Sequence, residues 1–165
     1  MSQDPRSEQL QIRLSPAEKA AIRRAAEHAG LDMSAYVLNR ALPTPAMRLQ
    51  ECIAGCAGPA PPSFALAELN TLLTGWTAAE LRDAIAVRPT TALTPFLSNY
   101  IAAMIEQTCE RHFVRVPGWV LAIGPLAEPS FGSTLKSLRL HLLTHSPPAF
   151  RRRNIFIDAT VGDRV

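Results

Sequence analysis

The sequence predicts a mainly α-helical protein with a small N-terminal unit of one strand and two helices, a helical region and an irregular C-terminal arm. Polar and apolar residues alternate over residues 9–14, which is typical of a strand with one buried face. Helix starts and stops then follow at short intervals up to about residue 112. From residue 113 onward, prolines and glycines interrupt the apolar clusters, so this segment has no regular period.

The strand over residues 9–14 has two different faces. The polar face carries Gln9, Gln11 and Arg13. A lone strand leaves backbone donors and acceptors unpaired, so we expect two chains to pair these strands antiparallel in a two-stranded intermolecular ribbon that fits the DNA major groove. The predicted core of this homodimer consists of Leu10, Ile12, Leu14, Ile22 and Val37.

Two helices are predicted after the strand. Ser15 is an N-cap candidate, Pro16 occupies the first helical position, and Glu18 completes a capping box. Gly30 can adopt the left-handed conformation that closes a helix. Ser34 is then predicted as the N-cap of a second helix, which the prolines after residue 42 terminate.

The strand, the S-P-x-E helix start and the G-L-x-x-S turn over residues 8–42 resemble the ribbon-helix-helix DNA-binding proteins of the Arc, MetJ and CopG type, which include many antitoxins. The resemblance implies that the second helix holds a phosphate at its start. It also implies base contacts in a double-stranded operator, which suit the chemistry because glutamine pairs with adenine and arginine with guanine. The implied base contacts are Gln9, Gln11 and Arg13, and the implied phosphate contacts are Ser34, Met33 and Arg6.

Charge is unevenly distributed along the 165-residue chain, whose net charge is +3. Residues 1–43 hold six Lys/Arg against five Asp/Glu, residues 44–110 three against six, and residues 111–165 eight against three. The N-terminus lacks a signal-peptide pattern, and no apolar run approaches the roughly 20 residues that a membrane helix needs. We therefore expect a cytoplasmic protein without a membrane partner, in which the three cysteines are free thiols.

Four regions are predicted. Residues 1–45 form the DNA-binding and dimerisation domain, and residues 46–62 form a short helix and a proline-rich linker whose GPAPP sequence marks the main boundary. Residues 63–112 form a small helical bundle around a long helix that begins near Pro95. Residues 113–165 form a basic, proline-rich arm with one helix over residues 133–144.

The arm is predicted to bind a partner protein, because arginine and aromatic side chains dominate the energetics of interfaces. The alternative is that the arm packs on the helical bundle of its own chain, and the sequence leaves both open. The candidate partner-binding residues are Trp119, Phe131, Phe150, Arg151, Arg152, Arg153 and Phe156.

Catalytic and metal chemistry find little support in the sequence. A glycine-rich phosphate loop and a G-x-S-x-G elbow are both missing, and the carboxylates are scattered, so we expect no enzyme and no cofactor. A Cys3His zinc set, formally possible from the three cysteines and His112, falls on predicted helices. His141 and His145 lack the glutamate of a metalloprotease helix, so no metal site is predicted.

Function is predicted as a DNA-binding antitoxin that represses its own operon and neutralises a cognate toxin through the C-terminal region. A transcriptional regulator without a toxin partner is one alternative, since some relatives carry effector domains instead. A plasmid mobilisation accessory protein of the relaxosome is another, because such proteins also resemble the ribbon domain. The identity of the neighbouring gene separates these three roles.

Overall fold

A computed structural model describes residues 11–158, apart from the side chain of Asn39. The chain divides into two compact units, unit 1 over Met1–Pro43 and unit 2 over Thr44–Val165. Both units are mainly helical within the described residues. The mainly α fold class is therefore confirmed.

Unit 1 contains the two helices α1 (Pro16–His28) and α2 (Met33–Ala41). The predicted capping box is present: the Glu18 amide donates to Ser15 Oγ at 3.3 Å, and the Ser15 amide donates to Glu18 Oε2 at 2.8 Å. Gly30 has φ +65°, and the Leu31 amide donates to the Ala26 carbonyl at 3.0 Å. This backbone closure confirms that α1 ends at the glycine.

The N-cap of α2 differs from the prediction. Asp32, not Ser34, caps the helix, because its carboxylate accepts a hydrogen bond from the Ala35 amide at 2.9 Å. Aspartate is as good a cap as serine, and the closure around Gly30 turns the chain into α2 two residues earlier than expected. Met33 and Ser34 consequently occupy the first two positions of the helix.

Helices dominate unit 2, and local capping fixes several of them. The Thr77 and Glu80 side chains form a second capping box, and Thr94 caps the long helix with a bond from Leu97. The helices are α3 (Pro45–Cys56), α4 (Pro62–Gly75), α5 (Ala78–Ile85), α6 (Pro95–Arg111), α7 (Gly118–Leu121), α8 (Arg139–His145) and α9 (Pro148–Arg151).

The region over residues 133–144 is less helical than predicted. A 3-10 turn, Lys136–Leu138, precedes α8, which occupies only Arg139–His145. Two short strands, β1 (Ser130–Phe131) and β2 (Ile155–Phe156), pair in parallel with Ser130 opposite Ile155. The predicted arm thus contains regular structure that depends on contacts between distant parts of the chain.

The main boundary predicted at residues 58–62 is wrong. Helix α3 packs against α4 and α5, so the proline-rich stretch connects neighbouring helices of one unit. Its physical role is to end α3 and to start α4 at Pro62, since proline suits the first turn of a helix. The division between units lies at Pro43, where prolines also prevent α2 from continuing.

Helix α6 lies at the centre of the core of unit 2, as predicted for the long helix that begins near Pro95. Nearly every residue from Leu97 to Cys109 is buried. Phe150, Ile155 and Ile157 from the C-terminal arm belong to the same cluster. Of the two alternatives left open by the sequence, packing of the arm on its own chain is therefore observed.

Candidate nucleic-acid interface

The segment before α1 presents polar side chains to solvent. Gln11 and Arg13 are both exposed, while Gln9, Leu10 and Arg6 lie outside the described residues. Residues 11–14 form no strand within the single chain. A strand that pairs only with a second copy has no partner in one chain, so the intermolecular ribbon stays a prediction.

Apolar side chains of unit 1 are incompletely covered within one chain. Ile12 is 57% exposed and Leu14 is 42% exposed, and Ile22 and Val37 are half-buried. Among the described apolar side chains of unit 1, Ala26 alone is fully buried. The unit therefore has an apolar face that its own two helices do not cover.

The start of α2 offers backbone donors beside a carboxylate. Met33 and Ser34 are the first two residues of α2, where the backbone N–H groups have no carbonyl acceptor within the helix. Helix N-termini of this kind bind anions such as phosphate. Met33 is half-buried and Ser34 is exposed. The Asp32 carboxylate caps the helix and so stabilises it, but its negative charge repels a phosphate at the same helix start.

Cations on unit 1 lie at the surface. Arg13, Lys19, Arg23, Arg24 and Arg40 are all exposed. The Arg40 guanidinium is 5.6 Å from the centre of the Tyr36 ring, an arrangement that orients the side chain by a cation–π contact.

The carboxylate of Glu18 is engaged in the capping box. The Ser15 amide, and then the Ser15 hydroxyl, lower its pKa by hydrogen bonding to the charged form. The negative charge of Glu18 thus stabilises the first turn of α1.

Phe150 and Arg153 do not form a partner-binding surface. Phe150 is fully buried and packs edge-on against Tyr100, with ring centres 5.2 Å apart. Arg153 is buried and donates to the carboxylate of Glu106 at 3.2 Å and to the carbonyl of Val120 at 3.0 Å. The prediction that these two residues contact a partner is wrong, because they complete the core of their own unit.

Other predicted anchors are more accessible. Trp119 is half-buried, and its Nε1–H donates to the Ile85 carbonyl at 2.9 Å. Phe131 and Phe156 are half-buried and stacked, with ring centres 5.1 Å apart, because they lie opposite each other in the β1–β2 pair. These contacts give all three rings a structural role.

Arg151 and Arg152 are exposed, but they differ in their surroundings. Arg152 contacts Glu106 at 2.6 Å and Glu110 at 2.7 Å, both on α6. Partner binding through these two arginines stays a prediction.

The three cysteines, Cys52, Cys56 and Cys109, are free and buried. Burial raises the pKa of all three thiols, to about 11 for Cys52 and for Cys109. Within residues 11–158, no group of three His, Cys, Asp or Glu side chains is placed to hold a metal ion. None of the helices in this range combines the length and apolar character required to cross a membrane.

Two capped helices with an uncovered apolar face, preceded by exposed Gln11 and Arg13, are the features of a ribbon-helix-helix DNA-binding segment. Residues 4–48 match the family model described as NikA-like, Mobilization protein NikA. This match supports a DNA-binding segment of that type and includes residues 4–43 of unit 1 and the first residues of α3. No curated protein and no solved structure matches the chain.

Proposed function

We propose that this protein is a DNA-binding accessory protein of plasmid mobilisation, a component of a relaxosome. The family match over residues 4–48 supports this role, because that family is described as a mobilisation protein. The protein acts by binding and not by catalysis. It binds duplex DNA as a homodimer, and the cutting of DNA belongs to a separate enzyme.

The observation that carries the proposal is the uncovered apolar face of unit 1. Among the described apolar residues of unit 1, Ala26 alone is fully buried. A module with so small a core buries too little apolar surface to be stable as a monomer. A second copy supplies the missing cover when Ile12 and Leu14 of each chain face the helices of the dimer. Strand pairing then satisfies the backbone and places Gln11 and Arg13 on the opposite face of the ribbon.

The ribbon reads DNA in the major groove. Arg13 and Gln11 have the donors and acceptors that distinguish guanine and adenine, and each is present twice in a twofold dimer. The recognised site is therefore expected to contain two related half-sites. Amides at the start of α2 orient the dimer by holding phosphates.

The sequence predicts an antitoxin because its C-terminal arm has the residue types of a partner-binding surface. Two of the seven candidate partner-binding residues, Phe150 and Arg153, are buried in unit 2 and are not available to a partner, which weakens this argument. Repression of an operon and neutralisation of a toxin remain compatible with the N-terminal unit, but no described feature favours them over mobilisation.

The test measures binding of the full-length protein to DNA fragments from the surroundings of its own gene, by fluorescence anisotropy. Arg13→Ala is expected to weaken binding to the specific fragment by about 1–3 kcal/mol, with weak binding to random DNA retained. Arg24→Ala is the matched control, because Arg24 is also exposed but lies on α1. Equal losses for both variants on both DNAs would contradict the assignment of base contacts.

The cellular role is tested by deleting the gene in its natural host. Mobilisation predicts reduced nicking at the transfer origin and a lower transfer frequency, both restored by the wild-type gene but not by the Arg13→Ala variant. Unchanged transfer together with growth arrest on deletion would instead establish the antitoxin role.

A further inference from the structure

The turn that follows α6 contains an unusual residue. Phe113 has φ +54°, in the left-handed region that glycine and asparagine normally occupy. The other described non-glycine residue with positive φ is an asparagine, Asn154, for which this conformation is ordinary. A bulky aromatic residue therefore adopts a backbone conformation that would cost glycine less free energy.

Hydrogen bonds hold this turn in place. The Val114 amide donates to the Cys109 carbonyl at 2.9 Å, and the Phe113 amide donates to the Glu110 carbonyl at 3.4 Å. Val114 packs against the core of unit 2 immediately after the turn. Phe113 thus projects from a backbone that is fixed on both sides.

Packing does not account for the phenylalanine, because Phe113 is 98% exposed. Neither the conformation nor the contacts of this position favour an aromatic side chain, and an exposed ring gains nothing from the hydrophobic effect. Strained and exposed residues of this kind occur at binding sites, where the surrounding fold maintains them.

Basic residues flank Phe113 in the sequence. Arg111 and Arg115 flank Phe113 by two residues on either side, and both are exposed. The nearest acidic residue in the sequence is Glu110, whose carboxylate is occupied by Arg152 at 2.7 Å. A ligand that stacks on Phe113 is therefore close in the chain to the exposed cation of Arg115.

We propose that the Phe113 turn binds single-stranded nucleic acid, with an unpaired base stacked on the ring and a flanking phosphate near Arg115. Aromatic rings between basic residues are the usual means by which proteins bind single strands without sequence preference. This site is in unit 2 and is independent of the duplex-binding role proposed for unit 1.

Duplex DNA suits the turn less well than a single strand. Stacking requires a free base face, and the faces of paired bases are covered by their neighbours in the helix. An acidic protein surface could satisfy the arginines but would give no preference for an aromatic ring over an aliphatic one. The requirement for a ring therefore separates the two kinds of partner.

The experiment uses the full-length protein and a fluorescein-labelled oligothymidylate of about 20 nucleotides, a length that exceeds most single-strand binding sites. Phe113→Leu is expected to weaken binding about tenfold, the loss of one stacked base, and Phe113→Trp to retain it. Phe64→Leu is the matched control: Phe64 is 76% exposed on α4 and has no arginine near it in the sequence. It is expected to bind like the wild type.

A second variant separates binding from folding. Phe113→Gly relieves the left-handed strain and is expected to raise the melting temperature of unit 2 by about 3 °C while it also weakens oligonucleotide binding about tenfold. Arg115→Gln is expected to lower the salt dependence of binding by about one unit of slope. A residue with a purely structural role would not give a variant that is more stable than the wild type and yet binds the oligonucleotide more weakly.

Several results would overturn the proposal. Phe113→Leu binding as well as the wild type would exclude stacking, and competition by polyglutamate as effective as that by unlabelled oligothymidylate would indicate an acidic protein partner. Duplex binding measured with the Arg13→Ala variant in the same preparations tests the role of unit 1 separately. Specific duplex binding by Arg13→Ala as tight as that of the wild type, with oligothymidylate binding intact, would reject that role alone.

Discussion

The guanidinium group of Arg153 lies 3.2 Å from the carboxylate of Glu106, although forty-seven residues separate them in the chain. Arg153 is buried, and it also donates to the carbonyls of Val120 and Ile123. Its neighbours Arg151 and Arg152 are exposed. Arg152 also contacts the Glu106 carboxylate, at 2.6 Å, so two of three consecutive arginines connect the C-terminal arm to α6, one from the surface and one from within the core.

Replacing Arg153 by methionine should destabilise unit 2 by about 2 kcal/mol, because it leaves two backbone carbonyls without their donor and removes one of the two arginines that pair with the buried Glu106 carboxylate. Urea unfolding followed by tryptophan fluorescence measures this, since both tryptophans, Trp76 and Trp119, belong to unit 2. Arg151→Met is the control and should have little effect. Equal stability of the two variants would show that the ion pair contributes nothing.

Ile12→Asp should abolish the dimer. In the ribbon that we propose, Ile12 faces the apolar core, and burial of an unpaired charge costs several kcal/mol, which exceeds what a small module tolerates. Light scattering after size-exclusion chromatography should give a dimer for the wild type and for Ile12→Val, and a monomer for Ile12→Asp. A wild type that is monomeric at all concentrations would exclude the ribbon.

Asp32→Ala should reduce the stability of unit 1 by about 1 kcal/mol, and Ser34→Ala should leave it nearly unchanged, since Asp32 is the residue that caps α2. Far-ultraviolet circular dichroism during thermal unfolding of the full chain compares the two variants.

Asp32→Asn extends this test to DNA binding. Asparagine keeps the cap but removes a negative charge beside the proposed phosphate site, so affinity for duplex DNA should rise. A fall in affinity with stability unchanged would mean that phosphate is held elsewhere.

The buried cysteines should react slowly with thiol reagents in the folded protein. Because burial raises the pKa of Cys52 and Cys109 to about 11, the reactive thiolate is scarce at pH 8, and access is blocked as well. Titration with a chromogenic disulfide should therefore detect three thiols in denaturant and few without it. Rapid reaction of the native protein would show that the core around α3 opens readily.

Local chemistry explains which parts of the fold the sequence predicts correctly. The capping residues Ser15, Thr77 and Thr94 define their helices because all the partners lie within four residues. Asp32 was missed as a cap, although an aspartate two residues after a helix-ending glycine is a recognisable signal. The sequence places the end of the first domain at residue 45, close to Pro43, but it ranks the GPAPP stretch as the main boundary, because proline marks the end of a helix whether or not a domain ends there.

Long-range contacts explain the rest. The burial of Phe150 and Arg153 depends on α6, from which they are separated by about forty residues, and no local pattern reveals such a contact. Residues Phe113 and Asn154 have positive φ, but sequence rules identify only the asparagine as a candidate for that conformation. The left-handed conformation of the exposed Phe113 can be recognised only from the backbone angles of the structure.

The contribution of Phe150, Ile155 and Ile157 to the core of unit 2 has a consequence for synthesis on the ribosome. Unit 2 cannot complete its core until these residues have left the exit tunnel, whereas unit 1 emerges about 110 residues earlier, or roughly 6–20 s at bacterial elongation rates. In the homodimer that we propose, neighbouring nascent chains on one messenger RNA therefore have time to pair through unit 1 first. Assembly during translation would favour dimers whose two chains come from the same transcript.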